Sequence, residues 1–177
     1  MKNLLLSLTV VIFFAAENSI AQPANDNCAN AINLTSGTSC NYTSGTTVGA
    51  TQSLAAITCG FTGTADDDVW YMFTAVATTQ TVSVQCGTAF DGVVDVRSGS
   101  CNGTNINCSD VVGTGTLETV NLSGLTVGAV YYVRIYSFGS LPSNAGTFQI
   151  CVTNTGAIAP ANDNCANAIN LTSGTSC

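Results

Sequence analysis

Carboxylates carry most of the chemistry that this sequence could perform, and three of them, Asp66, Asp67 and Asp68, are adjacent. Neighbouring carboxylates repel one another, and a divalent cation with oxygen ligands at about 2.3–2.6 Å would relieve that repulsion. We therefore consider Ca²⁺ a candidate ion for this cluster, with Asp26 and Asp91 as further ligands. The alternative is that a turn before a strand simply favours aspartate, since adjacent residues of an extended segment point to opposite sides.

The sequence offers little support for catalysis. It contains no histidine, which removes the usual proton shuttle and the base of a Ser–His or Cys–His pair. Asp91 and Asp95, if on one strand, would lie on the same side about 13 Å apart, beyond the roughly 5–9.5 Å between the carboxyl groups of glycosidases. We assign no catalytic residue and predict that the protein is not an enzyme and requires no cofactor.

A row of aromatic and cationic side chains is the second candidate binding feature. Tyr132, Arg134 and Tyr136 alternate along one segment, so on a strand they share one face. We assign that face to the outside of the sheet, where the row and Trp70 could stack on sugar rings or contact a partner. The alternative is that these residues are ordinary strand formers and that Trp70 caps the sandwich or contacts the next domain.

Nine cysteines indicate disulfides and an oxidising compartment. Neither a C-x-x-C pair nor a histidine accompanies them, so a zinc site is not expected. The spacing leaves the connectivity open. We predict three pairs and one buried free thiol: Cys101–Cys108, which flank a short Gly/Asn loop, Cys40–Cys59, Cys28–Cys151, and the thiol of Cys86.

The charge balance excludes one class of partner. Ten acidic residues stand against three basic ones, which gives a formal net charge of −7. Nucleic-acid binding depends on Lys and Arg side chains that neutralise phosphates, so no nucleic-acid partner is predicted. An acidic chain could still bind cations or basic partners.

Period-two alternation of apolar and polar residues recurs from residue 44 onward and predicts strands. The predicted strands are Thr46–Thr51, Val69–Val76, Thr81–Cys86, Gly92–Arg97, Thr116–Leu122, Ala129–Tyr136 and Gly146–Thr153. A minor helical turn is predicted near the N-terminus at Asp26–Ile32, with Asn25 or Asp26 as its cap. The predicted fold is all-β: an antiparallel β-sandwich of about seven to eight strands with jelly-roll or immunoglobulin-like topology.

The same alternation assigns the side chains that face the core. The predicted inward set is Val69, Tyr71, Phe73, Val82, Val84, Cys86, Val94, Val96, Tyr131, Val133, Ile135, Phe148, Ile150 and Val152.

Eighteen residues occur twice without a change: Pro23 to Cys40 recurs as Pro160 to Cys177. A unit that begins again predicts tandem domains. The first residues combine a lysine, a short apolar run and a small-x-small site, as in a cleaved secretory signal. The predicted organisation is a signal peptide (1–21), a complete repeat (23–154), a linker (155–159) and the truncated start of a second repeat (160–177), with no transmembrane segment after the signal.

Three runs resemble a known family: Ala65–Phe73 (ADDDVWYMF), Leu125–Tyr136 (LTVGAVYYVRIY) and Gly146–Ile150 (GTFQI). They are similar to the bacterial pre-peptidase C-terminal (PPC) domain, and the NDNC-x-x-AI opening looks like the tandem modules of secreted or surface proteins of the Bacteroidetes, which commonly leave through the type IX system. The resemblance implies a jelly-roll sandwich that accompanies secreted enzymes or adhesins without being catalytic. It also implies calcium binding through the aspartates, as in several family members.

The leading hypothesis is a non-catalytic extracellular or cell-surface module of a tandem-repeat protein, with a structural or adhesive role through multiplicity. Its expected partners are neighbouring repeats of the same chain and a glycan or a surface protein. The alternative is a carbohydrate- or calcium-binding accessory domain of a secreted hydrolase, either a peptidase or a glycosidase.

Overall fold

A computed structural model describes residues 20–110, 113–141 and 144–154. These residues form one short 3₁₀ helix, Cys28–Asn30, and eleven strands. The strands are β1 (Ile32–Leu34), β2 (Thr43–Thr46), β3 (Thr58–Cys59), β4 (Phe61–Thr62), β5 (Val69–Thr74), β6 (Thr79–Cys86), β7 (Gly92–Ser98), β8 (Asn105–Ser109), β9 (Leu117–Ser123), β10 (Val130–Ser137) and β11 (Thr147–Thr153).

Nine of these strands build two sheets that pack on one another. The five-stranded sheet has the order β1-β5-β10-β7-β8, and the four-stranded sheet has the order β2-β11-β6-β9. Every strand pair in the two sheets is antiparallel except β1 with β5, which is parallel. β3 and β4 form a separate hairpin. The predicted all-β sandwich is confirmed.

The core lies between the two sheets and follows from the alternation along each strand. On β6, for example, Gln80, Val82, Val84 and Cys86 are buried while the residues between them are exposed or half-buried. All fourteen side chains predicted to face inward belong to the main hydrophobic core. Period-two alternation therefore identified this core correctly, because side chains of a strand point to opposite faces in turn.

The sequence pattern missed the strands that lack apolar alternation. β8 has the sequence NINCS and forms an edge of the five-stranded sheet, where only one neighbour is needed. The first predicted strand is displaced, because the observed β2 ends at Thr46 and buried turn residues follow it. The predicted helical turn is the 3₁₀ helix; its cap is Asn27, without a side-chain capping bond, so the assignment of Asn25 or Asp26 was wrong.

The repeated opening of the domain contributes to the five-stranded sheet. Residues 23–40, which we call the opening segment, contain the 3₁₀ helix and β1, and β1 pairs with β5 so that Ile32 lies beside Tyr71 and Leu34 beside Phe73. Residues 1–19 of the predicted signal peptide, the predicted linker (155–159) and the second copy at 160–177 lie outside the described residues. In the described part of the chain, no helix is long and apolar enough to cross a membrane.

Candidate functional site

A loop crosses the outer face of the five-stranded sheet and covers it. Residues 51–59, which we call the strap, are fastened by side chains from the sheet beneath. Arg134 donates hydrogen bonds to the carbonyl oxygens of Leu54 and Ala55, at 3.0 and 3.1 Å. Trp70 Nε1 donates to Ser53 Oγ at 2.9 Å. Polar side chains of the sheet therefore lie beneath the strap and supply the hydrogen bonds that water would otherwise make on this face.

Arg134 is the centre of these polar side chains, and its own side chain is fully buried. Its guanidinium pairs with Asp95 Oδ2 at 3.1 Å and with Asp68 Oδ2 at 3.3 Å, and both carboxylates are also fully buried. The partners are cross-strand neighbours: β10 places Arg134 beside Asp95 of β7 and beside Trp70 of β5. Arg97 adds a pair to Asp95 at 2.8 Å. The Arg134 cation is compensated by two carboxylates inside the protein, and the Asp95–Arg97 pair belongs to the same network.

The predicted aromatic-cation row is not an exposed binding surface. The guanidinium of Arg134 lies over the ring of Tyr136 at 4.7 Å and over that of Trp70 at 5.9 Å, and both rings are fully buried. Tyr132 is half-buried. These four side chains do face outward from the sheet, as predicted. The prediction that they are exposed was wrong for Trp70, Arg134 and Tyr136, because the strap lies against these three.

The aspartate cluster serves three different segments instead of one ion. Asp68 accepts from the Ser53 hydroxyl at 2.6 Å and from the backbone N–H of Ser53 and Leu54. Asp67 accepts from the N–H of Ser137 at 2.8 Å. Asp66 accepts from the N–H of Leu141 at 3.0 Å. Because consecutive carboxylates point in different directions, each one ties a separate stretch of backbone.

The other two predicted metal ligands lie elsewhere. Asp26 accepts from the N–H and hydroxyl of Thr51, at 2.6 and 2.9 Å, and so joins the opening segment to the start of the strap. Asp91 precedes β7 and faces a different set of groups. Among the described residues, no three His, Cys, Asp or Glu side chains are grouped so that they could hold a metal ion. The structure therefore does not bring the five predicted ligands together.

A second acidic group, missed from the sequence, lies where β8, β9 and the start of β7 meet. Burial, together with the charges of Asp91 and Glu118, raises the pKa of Asp110 to about 6. Burial also raises the pKa of Asp91. Ser109 donates a hydrogen bond to Glu118. Only one weak feature of the sequence pointed to this group: Glu118 lies on the same inward face of β9 as Val120 and Leu122, where a charged residue is unusual.

The three disulfides differ from all three predicted pairs. The structure joins Cys28 to Cys101, Cys40 to Cys151 and Cys59 to Cys108. Cys86 is buried and free, as predicted.

The sheets explain why the predicted pairs are impossible. Cys59 lies in the strap and Cys108 in β8, both on the outer side of the five-stranded sheet. Cys151 points outward from the four-stranded sheet, between the inward residues Ile150 and Val152. A Cys40–Cys59 or Cys28–Cys151 bridge would have to cross the core, since packed sheets lie about 10 Å apart. Cys101 is in the turn after β7, whereas Cys108 is level with Asp95 halfway along it.

The four-stranded sheet has no equivalent of the strap among the described residues, apart from the Cys40–Cys151 link at one side. Its outer face, which we call the open face, presents hydroxyl and amide side chains and a single apolar one. Its members are Ser44, Thr79, Thr81, Ser83, Gln85, Leu117, Thr119, Asn121, Ser123, Thr147, Gln149 and Thr153.

The charged side chains lie away from this uncharged face. Within the described residues, every charged side chain is buried or half-buried and none is exposed. These residues are Asp26, Asp66, Asp67, Asp68, Asp91, Asp95, Arg97, Asp110, Glu118 and Arg134. The acidic composition therefore does not produce an acidic surface on this part of the protein.

A shallow hollow of about 470 Å³ lies on the open face, at the end near Gly87. The cross-strand row Ser44–Gln149–Gln85 forms part of it, and Thr147 lies beside this row. Gln85 Nε2 donates to the carbonyl oxygens of Cys86 and Gly115, both at 3.2 Å, which orients its amide. The hollow can form hydrogen bonds to an uncharged, hydroxyl-rich ligand.

These features define a class: a β-sandwich module cross-linked by disulfides, with its charges inside and an uncharged polar face. The chain belongs to the galactose binding domain-like family associated with type IX secretion, whose model matches residues 24–150. Association with type IX secretion and the presence of disulfides are typical of an exported protein. Domains of this family are typically non-catalytic accessory modules. The recognition made from the sequence is confirmed.

Among solved structures, the chain is similar to the pre-peptidase C-terminal domain of a collagenase from Bacillus anthracis. The identity is 15%, the match covers 76% of this chain and 99% of that one, and the TM-score is 0.44. None of the curated proteins matches the sequence.

Proposed function

We propose that this protein is a non-catalytic extracellular or cell-surface module of a tandem-repeat protein, and that it has a structural and adhesive role through its open face. The observation that carries the proposal is the distribution of charge. All charged side chains of the described residues are buried or half-buried, while twelve outward positions on four strands present almost only hydroxyl and amide groups. Such a face offers many weak hydrogen bonds and no ionic ones.

Weak contacts suit a repeated unit. When several modules are linked, the second contact is made at an effective concentration in the mM range, so avidity can exceed single-site affinity by about 10²–10⁴. The strap and the disulfides support this role, because they keep the module rigid and lower the entropy lost on binding.

The test compares chains that carry one, two or four copies of residues 23–159 on surfaces coated with neutral glycans or with protein. We expect retention to increase steeply with copy number and to depend little on salt, because no exposed charge contributes. A retention that is independent of copy number would contradict the adhesive role.

A second candidate function is carbohydrate binding in the hollow, as an accessory domain of a secreted hydrolase. It is favoured by the amide and hydroxyl groups of Gln85, Gln149, Ser44 and Thr147 and by the galactose-binding description of the family. On a glycan array that includes galactosides, Gln149→Ala/Thr147→Ala should remove the signal. The control, Thr126→Ala, changes an exposed hydroxyl in the turn between β9 and β10 and should leave it intact. Equal signals from the two variants would reject the hollow as the site.

A further inference from the structure

The opening segment is held to the domain by a compact set of contacts. The backbone N–H of Trp70 donates to the Asn25 carbonyl, and the Asn25 side chain donates to the Trp70 carbonyl, both at 2.9 Å. Asp26 binds Thr51 through two hydrogen bonds. Leu34 is buried in the main core. The acceptor site for the segment, as we use the term, consists of the edge of β5 that pairs with β1, Thr51, the end of β11 that pairs with Gly37, Cys101 and Cys151.

The segment lies at an edge of the fold, where it can be exchanged. β1 is the first strand of the five-stranded sheet and pairs only with β5. Removal of the segment would break this short ladder and the bridge between Gly37 and the end of β11, and would leave the order of the other four strands of the sheet unchanged. Both cysteines of the segment bond to the body of the domain, Cys28 to Cys101 and Cys40 to Cys151.

Every residue of the opening segment that contacts the acceptor site recurs in the second copy at 160–177. The counterparts are Asn162 for Asn25, Asp163 for Asp26, Cys165 for Cys28, Ile169 for Ile32, Leu171 for Leu34, Gly174 for Gly37 and Cys177 for Cys40. Since the eighteen residues are identical, a bound second copy would make the same contacts as the segment it replaces.

We propose that residues 160–177 of one chain bind the acceptor site of a second copy of this chain, in place of that copy's own opening segment. The interaction is head to tail. It uses one surface on the donor and a different one on the acceptor, so two chains can exchange the segment reciprocally and form a closed dimer, or the exchange can continue from chain to chain.

The register of the sheet favours a second chain over the same chain as acceptor. The end of β11 lies beside Gly37: Asn154 donates from its N–H to the Gly37 carbonyl. Residue 160 would have to reach the place of Pro23, at the opposite end of the opening segment. Six extended residues span at most about 20 Å, and they would have to run back along the full length of β1 and the 3₁₀ helix.

The exchange step balances without an oxidant when the donor cysteines are thiols. The Cys165 thiolate attacks Cys101 of the Cys28–Cys101 disulfide, the new Cys165–Cys101 bond forms, and Cys28 leaves as a thiolate. Cys177 replaces Cys40 at Cys151 in the same manner. One disulfide is broken for each one formed, and the released cysteines take the protons.

Tethering decides how often exchange occurs. A chain's own opening segment has an effective concentration in the mM range, so at μM protein it outcompetes a second copy by a factor on the order of 10³. Exchange is therefore rare in the intact protein and rises with concentration. Exchange becomes dominant when the opening segment can no longer form disulfides with Cys101 and Cys151, whereas the second copy still can.

The test uses the variant Cys28→Ser/Cys40→Ser, refolded at 2 and 200 μM in a glutathione redox buffer that serves as the oxidant. We expect disulfide-linked dimers and longer chains on a non-reducing gel, with a share that rises in proportion to concentration, by up to about 100-fold across this range, until it saturates. Peptide mass mapping should show Cys101 joined to Cys165 and Cys151 joined to Cys177. The Ser substitutions distinguish the two otherwise identical peptides.

The matched control is Cys165→Ser/Cys177→Ser, which keeps the native pairs and should stay monomeric. The intact chain at 200 μM should contain a small dimer fraction that this control lacks, so the comparison does not depend on a destabilised variant. Equal dimer fractions in the intact chain and the control would overturn the proposal. A monomer of the first variant with Cys165 joined to Cys101 of its own chain would also overturn it.

Discussion

Replacement of Arg134 by methionine tests whether the strap is held by the buried charge network. Methionine keeps much of the side-chain length but removes the cation, so Asp68 and Asp95 lose their shared partner inside the protein. The two carbonyl groups of Leu54 and Ala55 lose their donor in the same step.

The expected cost follows from burial. Breaking a fully buried ion pair by removing one partner costs about 3–5 kcal/mol, because the remaining charge stays desolvated. Arg134, Asp68 and Asp95 all have fully buried side chains, so solvent cannot compensate. At about 4 °C per kcal/mol for a domain of this size, the melting temperature should fall by about 12–20 °C.

The assay combines thermal unfolding, followed by circular dichroism, with hydrogen exchange of the strap amides. The amides of Ser53, Leu54 and Ile57 are hydrogen-bonded to Asp68 or Tyr136 and should exchange faster in the variant.

The matched control is Arg97→Met, which removes a cation from the same Asp95 but at a partly exposed position, with a side chain 12% exposed. We expect a smaller loss, about 1 kcal/mol, because Arg134 still compensates the carboxylate. The reasoning is refuted if Arg134→Met costs no more than Arg97→Met, or if the strap amides exchange at the same rate in both.

Two further predictions concern pH and packing. Burial raises the pKa of Asp67 and Asp91, and burial with nearby charges raises that of Asp110 to about 6. The folded state therefore binds protons more tightly than the unfolded state. The stability that these groups contribute at low pH is lost as pH rises through the folded pKa. The melting temperature should therefore increase from pH 8 to pH 5, and Asp110→Asn should flatten that profile; an unchanged slope in the variant would exclude Asp110 as a cause. At Gly45 an added Cβ would collide with the Tyr71 hydroxyl and the Phe148 ring, so Gly45→Ala should cost about 1–3 kcal/mol in denaturant unfolding, whereas Gly113→Ala, with open space around it, should cost far less. Equal midpoints for the two glycine variants would show that β2 can shift without penalty.

Several features of the fold were predictable from local pattern. The inward faces of β5, β6, β7, β10 and β11 were identified correctly, because alternation depends only on each residue and its second neighbour along the strand. Cys86 was predicted to face the core because it continues the inward series of Val82 and Val84, and it was predicted to be free because it was left over after three pairs had been assigned. The edge strands β1 and β8 were missed, since a strand with one neighbour needs few apolar residues.

The candidate site was predictable in its residues but not in their environment. Arg134, Trp70 and Tyr136 do share the outward side of the five-stranded sheet. Their burial depends on whether a loop from another part of the chain covers that side, and no pattern within β10 records it. The open face shows the opposite case. Its Ser, Thr and Gln residues form no recognisable motif in the sequence. They form an accessible surface because nothing in the described residues covers most of them.

The sequence by itself determined six strands (β5, β6, β7, β9, β10 and β11), the core-facing residues, the family and the repeat, all of which can be recognised from the order of residues along the chain. The tertiary structure decided which cysteines pair, which sheet face is covered and where the charges lie. The physical reason is distance: the order β1-β5-β10-β7-β8 and the packing of two sheets bring together groups such as Cys40 and Cys151, 111 residues apart, with Cα atoms 5.5 Å from one another. The aspartate cluster illustrates both parts, since its three carboxylates were evident at once, whereas the three segments that they bind were set only by folding.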